Sequence, residues 1–101
     1  MLCVLAEARA EAVEAAAWYD RQRNGLGAQL LDEIEQALHR IENAPQSFAT
    51  WEPYHGPEEF RRCVLTRFPY VVIFMHRPPE VVVVAISHAR RRPMYWLNRL
   101  T

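Results

Sequence analysis

Apolar positions recur along the chain with two different periods, and the change of period divides it in two. From Ala6 to about Arg23 the sequence is rich in Ala and Glu, and Ala is the strongest helix former. Ala8, Ala12, Ala15, Ala16 and Tyr19 fall on one stripe, with Glu7, Glu11, Glu14, Trp18 and Arg21 on the stripe beside it. Acids near the start and Arg21 and Arg23 near the end suit the helix dipole. Asn24-Gly25 then supplies a left-handed stop. A second helix is predicted from Leu26 to Asn43. There Leu30, Leu31, Ile34, Ala37, Leu38 and Ile41 keep the i, i+3, i+4, i+7 spacing, and Pro45 ends the run. So short a connection makes the two helices antiparallel neighbours.

Residues 44–59 carry Pro45, Pro53, Gly56 and Pro57 and read as a loop, with a short extended piece at Phe48–Glu52. Beyond it the period falls to two. Strands are predicted at Arg61–Arg67, Tyr70–Arg77 and Val81–Ser87, punctuated by Phe68-Pro69 and by Pro78-Pro79-Glu80. Connections of this length require antiparallel pairing. Leu2–Leu5 reads as a short first strand. In the first strand of the meander Cys63 and Leu65 alternate with Arg62, Val64 and Thr66, whereas the next two strands are apolar on both faces and so must be covered on both. The helical hairpin covers one face only. The C-terminal segment or a partner chain must cover the other. The tail around Met94, Tyr95, Trp96 and Leu97 is too aromatic for a solvated tail and is expected to pack back as a short helix or an extended segment. The fold class is α+β, in one domain spanning residues 1–101.

Length and composition agree with a single compact domain: 101 residues, half of them hydrophobic and 24% charged. The longest apolar runs, Tyr70–Met75 and Val81–Ile86 among them, are far short of the roughly 20 residues that a membrane span needs. The first residues lack the basic region of a signal peptide. A cytoplasmic location with no membrane contact is expected. Cys3 and Cys63 are isolated and are expected to be buried structural thiols. His39, His55, His76 and His88 are scattered, so neither a metal nor a cofactor is expected.

The net charge of zero conceals an asymmetry. All 12 basic residues are Arg. Residues 1–50 carry 4 Arg against 8 acids, and residues 51–101 carry 8 Arg against 4 acids. The two halves thus differ by eight charges, and the C-terminal half suits an anionic partner.

The chain has no GxSxG, P-loop or HExxH motif. What remains is a grouping of arginines with histidine and tyrosine. Arg61, Arg62 and Arg67 lie on one strand; His88, Arg90, Arg91, Arg92 and Tyr95 follow the last strand, and an antiparallel meander brings strand ends together. Arginine forks bind phosphates in two-point fashion. A histidine or tyrosine beside them could exchange a proton with a ribose 2′-hydroxyl or a leaving 5′-oxygen. Such a set could cut RNA, and the same residues could bind a protein's carboxylates. The plainer alternative makes the arginines solvated charge and puts Tyr95 and Trp96 in the core. His76, within an apolar strand, reads as a core or partner-face residue. Glu58 and Glu59 read as solvated loop acids, with a role as base the alternative.

The order of these features resembles a known family. A Glu-Ala-rich helix runs into Ala15-Ala16-Ala17-Trp18-Tyr19, and Gly25-Leu26-Gly27 precedes a Leu/Ile-rich helix ending at Pro45. Arg61-Arg62 and Arg67-Phe68-Pro69-Tyr70 open the meander, and His88-x-Arg90-Arg91-x-Pro93-x-Tyr95-Trp96 closes it. The whole, over about residues 4–99, resembles the RelE/ParE superfamily of toxins from type II toxin–antitoxin, or plasmid stabilisation, systems. That resemblance implies a strand, a helical hairpin and an antiparallel sheet. It also implies a cognate antitoxin, ParD-like or similar, in a hetero-oligomer that meets operator DNA only through the antitoxin. ParE-like members resemble non-enzymatic poisons of DNA gyrase; RelE-like members resemble ribosome-dependent mRNA endonucleases. In the second case Arg62, Arg67, His88, Arg90, Arg91 and Tyr95 would carry catalysis. In either case Arg61, Arg62, Arg67 and His76, with Arg90, Arg91, Arg92, Tyr95 and Trp96, would meet target or antitoxin. The absence of lysine and of net positive charge favours the ParE-like branch, since ribosomal RNA binding leans on counterion release. A member that has lost toxicity is the third alternative.

Overall fold

The computed structural model describes residues 1–51 and 56–100. Strand β1 (Leu2–Val4) leads into helices α1 (Ala6–Gln22) and α2 (Leu26–Asn43), and a 3-10 turn (Pro45–Ser47) follows. Strands β2 (Phe60–Val64), β3 (Tyr70–Arg77) and β4 (Glu80–His88) come next, and a second 3-10 turn (Leu97–Leu100) ends the described chain. The fold is α+β, with one sheet of order β1-β4-β3-β2. β2, β3 and β4 form the expected antiparallel meander, and β1 runs parallel to β4, pairing with Val81–Val83. Leu5 N–H continues this pairing onto the Val83 carbonyl at 3.0 Å, so the first turn of α1 is pinned to β4.

The helical hairpin follows from its glycines. Gly25 sits at φ 96°, in the left-handed region that a residue with a Cβ avoids. Gly27 is buried and lies so close to α1 that a Cβ there would collide with the Ala16 carbonyl and come within 2.8 Å of the Asp20 carboxylate. That carboxylate accepts the Gly27 N–H at 2.8 Å and so joins the start of α2 to the end of α1. The buried stripes are those of the sequence pattern except at Leu31, which lies at the edge of the α2 stripe and is 41% exposed. Ala8, Ala12 and Ala15 from α1 meet Leu30, Ile34 and Ile41 from α2 in one core. Each buried Leu or Ile contributes about 1.5–3 kcal/mol of hydrophobic stabilisation.

A bulge re-phases the last strand. Ile73 faces Ala85 while Phe74 faces Val83, so Val84 is an extra residue on β4. Val81, Val83 and Ile86 therefore join the helix-side core, while Val84 and Ala85 both join the opposite one. On that second face Phe60, Ile73 and Met75 are covered by the C-terminal segment, whose Trp96 is 1% exposed. The chain itself supplies the second cover.

Several boundaries differ from expectation. β2 ends at Val64 rather than Arg67, because Glu33 of α2 takes the Thr66 N–H at 2.7 Å and the Thr66 hydroxyl at 2.9 Å. The extended piece before β2 is a single bridge, Thr50 to Arg61, flanked by a bond from Trp51 N–H to the Phe60 carbonyl at 2.7 Å. Glu52, Pro53 and His55 lie outside the described residues. Cys63 is buried as expected, but Cys3 is exposed, because β1 is a sheet edge; both thiols are free. No helix among the described residues is long and apolar enough to cross a membrane.

Candidate functional site

Glu11 of α1 is the point at which the C-terminal segment meets the fold. β1 pairs only as far as Val83, and the backbone of β4 beyond it is served by side chains instead. Ile86 N–H donates to Glu11 Oε1 at 3.0 Å, and the Val84 carbonyl accepts from the Arg99 guanidinium at 2.9 Å. Arg99 also forks onto both Glu11 oxygens, at 2.9 and 3.0 Å. The Tyr95 hydroxyl donates to Glu11 Oε2, and Arg91 reaches the same oxygen at 3.3 Å while its guanidinium lies 3.7 Å over the Tyr95 ring.

Protonation states follow from these contacts. Burial pushes the Glu11 carboxyl up, but bonds from Arg99, Tyr95 and Ile86 N–H, together with the Arg99 charge, outweigh it and hold the carboxyl below its ordinary value. Burial, and then the bond to Glu11, raise the Tyr95 phenol. The Tyr95 hydroxyl is therefore a fixed donor at neutral pH.

The expected site residues divide. Arg62, His88, Arg91, Arg92 and Tyr95 do come together, around a pocket of about 150 Å³ between the sheet and the C-terminal segment. Arg67 lies elsewhere: its guanidinium bonds Gln29 at 2.5 Å, at the turn held by Glu33. Arg90 is exposed, and its backbone N–H donates to His88 Nδ1 at 3.1 Å. Arg61 is turned inward, donating to Glu59 at 2.6 Å and to the Gln46 and Phe48 carbonyls, so it ties the loop before β2 to the strand. Trp96 is core rather than surface. His76 is mostly buried and lies 3.7 Å from Glu59. Glu58 and Glu59 are not merely solvated acids: Glu58 pairs with Arg77 at 2.5 Å and Glu59 with Arg61. The bond from Arg61 holds the Glu59 carboxyl below its ordinary value. Among the described residues no cluster could hold a metal ion.

A larger cleft, about 370 Å³, opens on the other side of Arg91 and His88, between α1 and the strand ends. Trp18, Tyr19 and Tyr70 wall it, and Glu11 and Glu14 line the α1 side. Trp18 is 49% exposed, which is unusual for so large an apolar ring.

Glu11 and Arg99 carry this architecture, and neither stood out in the sequence as a functional residue. A signal was present: Glu11 lies three residues after Ala8 and four before Ala15, on the edge of the buried stripe, where a carboxylate needs a partner. The partner's identity, far along the chain, has no local signature.

Comparison with solved structures finds this architecture in a chain described as "Chromosomal ParDE TA system from P. aeruginosa", with a TM-score of 0.74 at 16% identity, covering 88% of this chain and 95% of that one. The two chains thus share a fold. The family model for the ParE toxin of type II toxin–antitoxin systems, parDE, matches residues 4–93, and the chain belongs to that family. No curated protein matches it. It is the toxin component of a type II module, within the RelE/ParE superfamily.

Proposed function

We propose that this toxin acts in the cytoplasm by binding DNA gyrase, without chemistry of its own, and that a ParD-like antitoxin holds it inactive in a hetero-oligomer and alone contacts operator DNA. The observation that carries the non-enzymatic reading is the Tyr95–Glu11 bond. Of the two acid–base candidates beside the arginines, the Tyr95 hydroxyl is already committed as a donor, its phenol raised by burial and by Glu11, and the His88 imidazole has its Nδ1 taken by the Arg90 N–H. Arg67, required by the same catalytic set, stands apart at the α2-braced turn. The surface that remains suits recognition. Arg62, Arg90 and Arg92 are exposed, and the aromatic cleft on the other side of Arg91 is of a size to take side chains of a partner. An antitoxin segment combining acids with apolar residues complements both.

The test is a supercoiling assay with purified gyrase and the purified toxin, with and without the protein encoded beside it. Inhibition, with trapped double-strand breaks relieved by the neighbour protein, is expected. Full supercoiling activity at excess toxin contradicts the gyrase target, and cleavage of ribosome-bound mRNA by the same preparation would move the toxin to the RelE-like branch.

A further inference from the structure

The pocket between the sheet and the C-terminal segment has an unusual lining for a chain of zero net charge. Arg62 rises from β2, on the face of the sheet shared with Phe60 and opposite to that of Cys63. In register it stands across from Ile73, whose own partner is Ala85. Arg91 and Arg92 descend from the segment after β4, and His88 and Ser87 close the end nearest that strand. Three guanidinium groups and an imidazole thus line about 150 Å³, and among the described residues no carboxylate lines it. Glu11, the nearest acid in the hydrogen-bond network, serves Arg91 from α1, on the helix side of the sheet, and is consumed by Arg99, Tyr95 and Ile86.

The guanidinium groups differ in what holds them. Arg91 is fixed, between Glu11 and the Tyr95 ring. Those of Arg62 and Arg92 are exposed and make no hydrogen bond or ion pair among the described residues. A fixed cation beside two unsatisfied ones, over an apolar floor of Val71 and Ile73, is an arrangement that an oxyanion completes. The volume admits one tetrahedral oxyanion with its first waters. Trp51 also lines the pocket, its ring 5.3 Å from that of Trp96.

We propose that this pocket takes one backbone phosphate of DNA, held between Arg62 and Arg92 with Arg91 as the fixed wall. The assignment to DNA rests on the gyrase reading, in which the toxin works beside gyrase-bound DNA. The pocket then makes the toxin a clamp on the enzyme–DNA complex rather than on the enzyme alone. Binding is electrostatic and independent of base sequence, so it weakens linearly on a log–log plot as salt rises.

The experiment is a titration of the full-length, isotope-labelled chain with a short DNA duplex, following the arginine side-chain and Trp51 indole signals by NMR at several salt concentrations. Saturable shifts are expected at Arg62, Arg92 and Trp51. In Arg62→Gln/Arg92→Gln the salt slope should fall by about 1, the signature of one lost phosphate contact. Both side chains are exposed and unpaired among the described residues, and an unchanged melting curve confirms that the variant folds. Arg9→Gln/Arg23→Gln, altered on α1 and just after its end, away from the pocket, should leave the slope as it was. An equal loss from that control pair would mean diffuse charge and overturn the proposal. So would saturation by inorganic phosphate with no response to DNA, or tighter binding to RNA of the same sequence. Supercoiling assays on the same proteins separate the two levels. A wild-type toxin that leaves gyrase untouched refutes the gyrase reading, whereas inhibition undiminished in Arg62→Gln/Arg92→Gln refutes the pocket and spares that reading.

Discussion

Glu11 and Arg99 meet fork to fork, at 2.9 and 3.0 Å, across 88 residues of chain. Their side chains are 14% and 13% exposed, so this is a largely desolvated pair. It does the work of a missing strand, because together they satisfy Ile86 N–H and the Val84 carbonyl where β1 has ended. It also fastens the C-terminal segment, since Tyr95 and Arg91 close on the same carboxylate.

Removing that carboxylate leaves Arg99 buried without its counter-charge. Glu11→Ala is therefore expected to cost about 3–5 kcal/mol, the usual loss when one member of a buried pair is deleted. Glu11→Gln keeps one oxygen, which still accepts from Ile86 N–H while its NH2 can donate to the Tyr95 oxygen, and should cost less. Urea unfolding of the three proteins measures both differences, and a Glu11→Ala variant within ~0.5 kcal/mol of wild type would show that the hub is not a fastening.

The same carboxylate gives stability a pH dependence of known sign. Glu11, Glu33 and Glu59 are all held below the ordinary carboxyl value. For Glu11 and Glu33 burial opposes the shift and hydrogen bonds override it, and for Glu59 the bond from Arg61 leads. A depressed folded value means stability that is present above the unfolded carboxyl pKa of about 4.3 and is lost as pH falls through the folded values. The urea midpoint should be nearly level from neutrality to about pH 5 and fall below it. Glu11→Gln should start lower and fall less steeply. Parallel acid limbs for the two proteins would contradict the assignment.

The hairpin depends on a missing side chain. A Cβ at position 27 would meet the Ala16 carbonyl, which is backbone and cannot swing away, as well as the Asp20 carboxylate. Gly27→Ala should force α1 and α2 apart and cost about 1–3 kcal/mol, the range for overpacking a tight contact. Thermal melting checks it, and an unchanged or raised midpoint would show that the helices have room to give.

The second face of the sheet is covered by the chain's own end. Truncation before Met94 removes Trp96 and exposes Phe60, Ile73, Met75, Val84 and Ala85 as one apolar patch. The truncated chain should bind a hydrophobic dye and associate at micromolar concentration. Trp96→Ala alone should cost about 3–5 kcal/mol. A truncated chain that stays monomeric and dye-negative would mean that the segment is dispensable cover.

Local order was legible and distant pairing was not. The apolar spacing of Leu30, Ile34, Ala37 and Ile41 fixes α2 at Leu26–Asn43, and the six-residue apolar runs locate β3 and β4. Residues apolar on both faces also required a second cover, though not which segment would supply it. The extra residue at Val84 escaped notice because a run of four valines looks the same in either phase. Glu11 read as one of a stripe of helix acids, and Arg99 as the last basic residue of a tail. Each is defined by the other, and helical periodicity reports a face but never the partner on it. Arg61 misled for the opposite reason: beside Arg62 it is chemically identical, but strand alternation sends the two to opposite faces.

The central claim is most directly tested by pulse-labelling DNA and protein synthesis in bacteria in the minutes after this toxin is induced without its neighbour. Early arrest of DNA synthesis with a DNA-damage response, while translation continues, is the predicted result. Early arrest of translation with DNA synthesis intact would contradict it and transfer the arginines to a nuclease. Growth with both syntheses undisturbed would contradict it as well and leave the fold without the toxicity.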